Sequence, residues 1–247
     1  EDAMSNSTTS STSTSHSGPG RAIGRHATTP GLSLSELDSR KLIHRDESAR
    51  SYADAFREIR TRLLEMGGDN NFVTLVAGVS PRSGCSFVAR NLAAAFALGE
   101  SMSALLIDCN LRYPSQANAF GIDCDRGDLI DYLDDPGHTI DSAIYSTGIP
   151  RLQLVPAGRP REVGGEYFSS MRMRTMIDSL RSRFHDRHII LDAPAVKGSP
   201  DARILADMAD FVVLVAGSGR DTPTAVAEAI SHFDDSKMAG AVFNQLP

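Results

Sequence analysis

The stretch "FVTLVAGVSPRSGCSFVARNLAAAFAL", residues 72–98, decides the fold. An apolar, β-branched run is followed by a turn with glycine and then by an alanine-rich segment, which predicts a strand, a loop and a helix. A phosphate-binding loop lies between such elements, where backbone N–H groups and the helix N-terminus hold the phosphates. That loop uses a lysine, but this chain has Cys85 between Gly84 and Ser86. The stretch therefore predicts a phosphate loop without its usual charge.

Five further apolar runs follow, separated by helix-length segments such as "SFVARNLAAAFALGE" and "MRMRTMIDSLRSRF". They are "SALLIDCN", "LQLVPAG", "HIILDAP", "DFVVLVAG" and "MAGAVFN". Nearly continuous hydrophobicity is typical of parallel strands that are covered on both faces. The pattern predicts an α/β fold, a three-layer sandwich with a mostly parallel central sheet. We expect "LLID" and "IILD" both to lie beside "FVTLVA", with ligands at the carboxyl ends of the strands.

Composition limits the organisation and the partners of the chain. The 247 residues, 41% hydrophobic and 23% charged, suit one large domain, and the net charge of -6 argues against nucleic acid as a partner. The Ser/Thr-rich residues 1–35 predict a disordered tail, and residues 36–247 a single domain. Three cysteines without metal-binding spacing, and no apolar stretch of membrane-spanning length, favour a reducing cytoplasm.

Acidic residues end two of the predicted strands. Asp108 follows "SALLI" and Asp192 follows "HIIL". Because Mg²⁺ takes oxygen ligands and bridges nucleotide phosphates, Ser86, Asp108 and Asp192 are candidate metal ligands, and the two aspartates are candidate catalytic residues. Each aspartate alone could instead be a helix cap or a turn residue. A dinucleotide site is disfavoured because no GxGxxG follows the first strand.

From about residue 49 to residue 247 the motifs resemble those of the cytoplasmic domain of bacterial tyrosine kinases (BY-kinases), relatives of the MinD and ParA P-loop ATPases. The segment "SPRSGCSFVARNLA" is similar to the family's phosphate loop "SxxPGEGKSTxAxNLA", and "LLIDCNLRYPS" resembles its "LLIDADLRRP". Further runs, among them "GDLIDYLDD", "HIILDAPAV" and "DARILADMADFVVLVAGSGRDT", fall in the family's order. The resemblance implies a P-loop NTPase fold and work in exopolysaccharide biosynthesis or export.

The departures from the family's motifs surround the expected nucleotide. Cys85 replaces the lysine, Arg82 the apex glycine, Phe87 a small hydroxyl residue and Asn110 the second aspartate of "DxD". The resemblance assigns nucleotide binding to the positions of Arg82, Gly84, Cys85, Ser86 and Phe87. Cysteine supplies no positive charge, and a side chain at the apex hinders close backbone approach. We therefore expect a pseudoenzyme without a cofactor, which binds ATP and Mg²⁺ only if the degenerate site still functions. The alternative is a weakly active ATP-dependent tyrosine kinase or ATPase.

The resemblance also implies partners. Family members dock on the cytoplasmic end of an inner-membrane polysaccharide chain-length regulator, which predicts a cytoplasmic protein held beside the inner membrane by its partner. The segment "DAFREIR" matches the family's ExxRxxR oligomerisation motif with Asp54, Arg57 and Arg60, and predicts a homo-oligomer. A solvated helix face with an internal ion pair is the alternative. The five tyrosines are scattered, so this polypeptide lacks the usual clustered acceptor.

Two smaller interpretations concern single side chains. Cys85 would lie at a helix N-terminus, where a thiolate is stabilised, so it is either a redox-sensitive thiol or, as we favour, a buried and inert small residue. His185 and His188 flank the turn before a predicted strand. Without an evident third ligand, we interpret them as surface histidines.

Overall fold

A central sheet organises the protein in the computed structural model, which describes residues 31–45, 50–68 and 70–245. The strands are β1 (Val73–Gly78), β2 (Ser103–Asp108), β3 (Tyr145–Ser146), β4 (Leu152–Val155), β5 (Arg187–Asp192), β6 (Phe211–Gly217) and β7 (Met238–Asn244). Their order in the sheet is β3-β4-β2-β5-β1-β6-β7, and all neighbours are parallel except β3 and β4. The six predicted strands and the mostly parallel α/β sheet are confirmed.

The expected neighbours of the first strand were partly wrong. β1 pairs with β5 and β6, and β2 lies one position further away, between β5 and β4. Hydrophobic runs identify buried strands, but they do not specify how many positions a crossover skips, since each inner strand of a two-sided sheet is equally apolar. The two-residue β3 is too short to give a periodic signal. The insertion of β5 places the end of "IILD" beside both the loop after β1 and the end of "LLID".

Helices cover both faces of the sheet, as the three-layer prediction required. They are α1 (Leu34–Ser39), α2 (Arg50–Gly67), α3 (Cys85–Ala97), α4 (Gln116–Phe120), α5 (Leu129–Asp134), α6 (Gly165–Phe168), α7 (Met171–Arg183), α8 (Asp201–Ala206) and α9 (Pro223–Ile230). Short 3₁₀ turns occupy Ile140–Ala143 and Asp235–Lys237. On one face α3 packs on β1, β2 and β5 with α2 behind it, and on the other α7, α8 and α9 pack on β5, β1 and β6.

The helix α3 approaches the sheet closely because its inner residues are small. Residues 93–95 are consecutive alanines, and each of them is buried. The apolar face of α2 packs against the same core as α3, since Phe56 and Leu63 are buried and Ile59 contacts it. Burying one such side chain stabilises a fold by about 1.5–3 kcal/mol. The two helices thereby fix the position of the loop that begins α3.

The predicted boundary of the tail at residue 35 was wrong by a few residues. Leu32 donates its backbone N–H to the carbonyl of Gly148 (3.2 Å). Ser33 caps α1 in a reciprocal capping box with Glu36, which satisfies backbone N–H groups at the start of the helix. Residues 31–35 thus belong to the folded domain. The prediction of a tail over residues 1–30 lies outside the described residues.

His188 is a core residue, so its interpretation as a surface histidine was wrong. Its ring lies 4.4 Å from that of Phe72 and 4.5 Å from that of Phe96, between centroids, and only 5% of the residue is exposed. Burial lowers the pKa of His188 to about 4. The histidine therefore serves as a neutral aromatic packing group, while His185 is exposed as predicted.

Candidate functional site

The loop between β1 and α3 has the backbone of an anion cradle. Arg82 (φ 65°) and Gly84 (φ 86°) both adopt the left-handed conformation, and Gly84 is the N-cap of α3 without a side-chain cap. A side chain at a left-handed position costs roughly 1–2 kcal/mol, so glycine would suit the position of Arg82. The loop adopts this conformation with arginine at its apex.

Two side chains from the β6 and β7 side of the sheet, Asp221 and Asn244, hold this loop through hydrogen bonds. The hydroxyl of Ser80 bonds to the carboxylate of Asp221, which also accepts the backbone N–H of Gly217 at 2.7 Å. Asn244, at the end of β7, donates its side-chain amide to the carbonyl of Ser83 (3.1 Å). The loop is therefore tied to the ends of the two strands beyond β1.

Cys85 occupies the lysine position, and its side chain is turned into the protein. The Sγ atom lies 3.3 Å from the carbonyl oxygen of Ala193, just after β5. Burial, together with the nearby charge of Asp192, raises the pKa of the Cys85 thiol. The group is a neutral thiol over the physiological range, which favours the inert residue over the redox-sensitive thiol.

Ser86 and Asp192 are brought together as the sequence predicted. The Ser86 hydroxyl donates to Asp192 Oδ1 at 3.1 Å. The other carboxylate oxygen, Oδ2, accepts the side-chain amide of Gln116 at 2.6 Å, and the same amide also donates to the carbonyl of Ser86 (2.9 Å). The amide oxygen Oε1 of Gln116 is buried without a partner among the described residues. Gln116 thus joins the loop to the end of β5.

Asp108 lies opposite Asp192 in the register of β2 and β5. It accepts three backbone N–H groups, from Asn110, Ser115 and Gln116, at 3.0–3.1 Å. These bonds place it at the start of a turn and α4, which is the structural role weighed for it alone. Asn110, at the second acidic position of the motif, closes the turn through the backbone N–H of Tyr113.

The two carboxyl groups are buried and electrostatically coupled. Burial raises the pKa of Asp192, and the charge of Asp108 raises it further. Burial also raises the pKa of Asp108, against the lowering effect of its three backbone hydrogen bonds. Such shifts are common where carboxylates await a cation or a proton, and they also occur in purely structural pairs.

A cleft of about 760 Å³ opens between the loop, the end of β2 and the segment after β5. Four basic side chains line it, and so do two aromatic ones: Arg82, Arg90, Arg112, Lys197, Phe87 and Tyr113. Phe87 also packs edge-on against Phe56 of α2, with ring centroids 6.0 Å apart. The predicted nucleotide-binding positions thus line one cleft.

Gln116, Arg90 and Lys197 also belong to this site, but no motif predicted them. Arg90 follows Ser86 by four residues on α3, a spacing that places two helical side chains on one face and could have indicated it. Gln116 opens α4 in the motif that supplied Asp108, but its aim towards Asp192 depends on the strand order. Lys197 lies in the segment after "HIILDAP", for which no motif gave a signal.

The residues fit a metal ion better than a nucleotide triphosphate. The Ser86 hydroxyl, Asp192 and the unpartnered Gln116 Oε1 are oxygen donors of the kind that Mg²⁺ takes. At the phosphate end, the buried thiol of Cys85 stands where a lysine would contact the phosphates. Within the part of the chain that the structure describes, no three His, Cys, Asp or Glu residues gather as a metal site. The two ends of the site therefore differ: one offers oxygen ligands, and the other has a neutral thiol in place of an ammonium group.

The three predicted oligomerisation residues make different kinds of contact. Asp54 and Arg57 form an exposed ion pair (2.5 Å), as in the solvated-face alternative. Arg60 donates to the carbonyl of Ala95 on α3 (2.7 Å), and burial lowers its pKa. Arg60 thus serves intramolecular packing, and self-association remains a prediction that rests on the exposed pair.

Comparisons with known proteins place this site in a wider context. No family model matches the chain. The chain is 30% identical over 196 residues to the tyrosine-protein kinase Wzc of Salmonella typhimurium, which covers 78% of the chain and 27% of Wzc. It is 27% identical over 212 residues to the succinoglycan biosynthesis transport protein ExoP of Rhizobium meliloti (81% and 26%). It is 27% identical over 200 residues to the tyrosine-protein kinase CpsD of Streptococcus agalactiae (80% and 85%).

Solved structures agree with these relatives. The kinase domain of the Escherichia coli tyrosine kinase ETK superposes with a TM-score of 0.73 at 26% identity, covering 88% of each chain. The septum site-determining protein MinD of Pyrococcus horikoshii, solved with Mg-ADP, gives a TM-score of 0.54 at 20% identity, covering 70% of each chain. The protein accordingly has the P-loop NTPase fold of the MinD and ParA ATPases. Within that class, the chain is a homologue of the kinase domains of bacterial tyrosine kinases.

The matches cover very different shares of the relatives' length. The chain spans about a quarter of the length of Wzc and ExoP, but most of the length of CpsD. Among the described residues, no helix combines the length and apolar character needed to cross a membrane.

Proposed function

We propose that the protein is a catalytically inactive BY-kinase-like domain that serves as an interaction or regulatory module in exopolysaccharide biosynthesis or export. One observation carries the proposal: the side chain at the lysine position of the phosphate loop, Cys85, is a neutral thiol bonded to the carbonyl of Ala193. A P-loop lysine stabilises the charge of the β- and γ-phosphates. Its loss alone ordinarily lowers phosphoryl transfer by orders of magnitude.

Two neighbouring residues support the same proposal. Arg82 extends a bulky side chain from the loop apex, where its left-handed backbone indicates a position suited to glycine. Phe87 lies one residue after Ser86 and contacts Phe56 of α2, so an aromatic ring stands where the family has a small hydroxyl group. The cleft thus loses the lysine charge and space beside the phosphates together.

The proposed setting follows from the relatives. Wzc and CpsD are named tyrosine-protein kinases, and ExoP is named a succinoglycan biosynthesis transport protein. We propose that this domain works at the cytoplasmic end of an inner-membrane chain-length regulator and is held at the membrane through that partner. The acidic net charge of -6 favours proteins over nucleic acid as partners.

A weakly active ATPase or tyrosine kinase is the second candidate, and one observation favours it. Ser86 and Asp192 are hydrogen-bonded, and Asp108 lies beside Asp192 in the register of the two strands. The acidic half of a metal-assisted site is therefore assembled. In this alternative, one of the cleft arginines replaces the lysine, although a planar guanidinium differs in geometry from an ammonium group.

Isothermal titration calorimetry with ATP and Mg²⁺ separates the two candidates. We expect a dissociation constant weaker than about 0.1 mM, which corresponds to roughly -5.5 kcal/mol of binding free energy or less in magnitude. An isolated ETK kinase domain provides the positive control in the same buffer. Micromolar binding by the unmodified chain, or tyrosine phosphorylation that Asp108→Ala abolishes, would contradict the inactive assignment.

A further inference from the structure

Arg90 is a basic side chain inside the site that none of the motifs assigns. It lies on α3, one turn after Ser86, and its Nε donates to the carbonyl of Ser86 at 3.1 Å. The same carbonyl accepts the amide of Gln116, which also holds Asp192. Arg90 is half-buried and lines the cleft. Its backbone anchor therefore keeps a guanidinium close to the two candidate metal ligands, Ser86 and Asp192.

The charges around Arg90 are mainly negative and buried. Burial lowers the pKa of Arg90, and the charges of Asp192 and Asp108 raise it. Neither aspartate forms a direct ion pair with Arg90 within the described part of the chain. The carbonyl of Ser86, which Arg90 shares with the Gln116 amide, places the guanidinium near Asp192 but leaves the carboxylate oxygens to other donors. Arginine is suited to this task because it stays protonated in proteins.

The fixed positive charge of Arg90 opposes the binding of a divalent metal ion near Ser86 and Asp192. A divalent ion beside Ser86 and Asp192 would be attracted by two carboxylates and repelled by the guanidinium, and such interactions are strong where water is excluded. Both carboxylate oxygens of Asp192 already accept a hydrogen bond. Oδ1 accepts one from the Ser86 hydroxyl, and Oδ2 accepts one from the Gln116 amide. A metal ion that bound Ser86 and Asp192 would have to break the hydrogen bond between them and lie near the positive charge of Arg90.

We propose that Arg90 is a built-in counter-cation for Asp108 and Asp192, and that its charge lowers the affinity of this site for divalent metal ions. The charge of the two carboxylates is thereby balanced by a side chain of the protein itself. The inference concerns the metal end of the cleft, so it holds whether or not ATP binds. Its test uses the metal alone, and its failure is distinguishable from failure of the proposed function.

The experiment is a titration of the full chain with Mn²⁺, in which the free ion is followed by its electron paramagnetic resonance signal. We expect Arg90→Met, which keeps the apolar stem and removes the charge, to bind Mn²⁺ at least about tenfold more tightly than the wild type. Arg90→Lys should bind as the wild type does. Arg183→Met removes the same charge from an exposed ion pair with Asp141 and should change nothing.

A double variant locates the ion that is gained. Adding Asp192→Asn to Arg90→Met should abolish the increase, because it removes the carboxylate that holds the ion. If Arg90→Met fails to fold, as judged by its melting transition, Arg90→Gln takes its place. Unchanged Mn²⁺ affinity in a folded charge-removal variant, or a gain that survives Asp192→Asn, would overturn the proposal.

Discussion

Asp108 and Asp192 lie directly opposite each other at the ends of the neighbouring parallel strands β2 and β5, and both are buried. Each stands beside a like charge in a region of low polarity, which opposes ionisation of both groups. Asp192 receives two side-chain hydrogen bonds, whereas Asp108 receives three from the backbone. The two carboxyl groups therefore differ in how replaceable they are.

Replacing Asp192 by Asn should stabilise the protein at pH 8 by about 1–3 kcal/mol. The pKa of Asp192 is raised in the folded state, so the wild-type carboxyl favours the fold below the ordinary pKa near 4 and loses that contribution as pH rises through the folded-state pKa. Urea denaturation at pH 4 and pH 8 measures the effect. The gain should be present at pH 8 and absent at pH 4.

Asp108→Asn provides the contrasting variant. An amide in place of Asp108 directs N–H groups at backbone donors, so this change should destabilise the fold at both pH values. Equal behaviour of the two variants would contradict the assignment of different environments to the pair.

Acid should weaken the fold through His188. The pKa of this buried histidine is lowered to about 4, whereas an unfolded histidine titrates near 6.5. As pH falls below 6.5 the unfolded chain takes up a proton that the folded chain refuses, which costs up to about 3 kcal/mol by pH 4. His188→Phe should remove this slope, as measured by urea denaturation between pH 4 and pH 7.

Because Asp108 and Asp192 also change the stability with pH, the His188 effect is measured as the difference in pH slope between variants. Asp108 and Asp192 titrate in the same window with the opposite sign, since their pKa values are raised. The exposed histidine variant His185→Phe carries the same change of side chain and serves as the matched control. A His188 variant with an unaltered slope would show that the ring is not held neutral.

Nucleotide binding should be recoverable by substitution. The triple change Cys85→Lys, Arg82→Gly and Phe87→Thr restores the charge, the apex and the space of a phosphate loop. Because Ser86 and Asp192 are already hydrogen-bonded, we expect ATP–Mg²⁺ to bind at least about tenfold more tightly than to the wild type, that is by about 1.4 kcal/mol or more. Calorimetry reports the result.

A matched control for this gain is Cys85→Met with the same two companion changes. It fills the lysine position without a charge, and it should not recover binding. If the charged and the uncharged triple variants bind ATP alike, the missing lysine is not the cause of the weak affinity.

Self-association should depend on Arg57 and not on Arg60. Arg57→Ala removes half of an exposed ion pair and should move an oligomer towards monomer in analytical ultracentrifugation with little change in melting temperature. Arg60→Ala removes the donor to Ala95 and should instead lower stability by about 1 kcal/mol. A wild-type chain that is monomeric at high concentration would exclude the interface.

Sequence patterns could predict the strands and the loop because these features are local. A strand buried on both faces is apolar along most of its length, as in β1 and β6, and the left-handed residue before α3 is a glycine, Gly84. Strand order was not accessible, since it depends on which crossover skips a position. The neighbours of Asp192 followed from that order.

The partners of the site were harder to predict for a second physical reason. Gln116 and Arg90 act through the direction in which a helix presents them, and that direction is set by packing against the sheet. His188 resembled a surface residue because its apolar neighbours, Phe72 and Phe96, come from distant parts of the chain. Residue types near a motif therefore predicted side chains that line the cleft, but not the hydrogen bonds among them.

The bond from Asn244 to the carbonyl of Ser83 makes the last strand of the sheet a mechanical handle on the phosphate loop. β7 is one of the two edge strands of the sheet, and its unpaired edge could pair with a strand of another chain. A displacement of β7 would reach the turn before α3 through the Asn244 amide. A partner that bound at this edge of the domain would therefore also act on the shape of the phosphate loop.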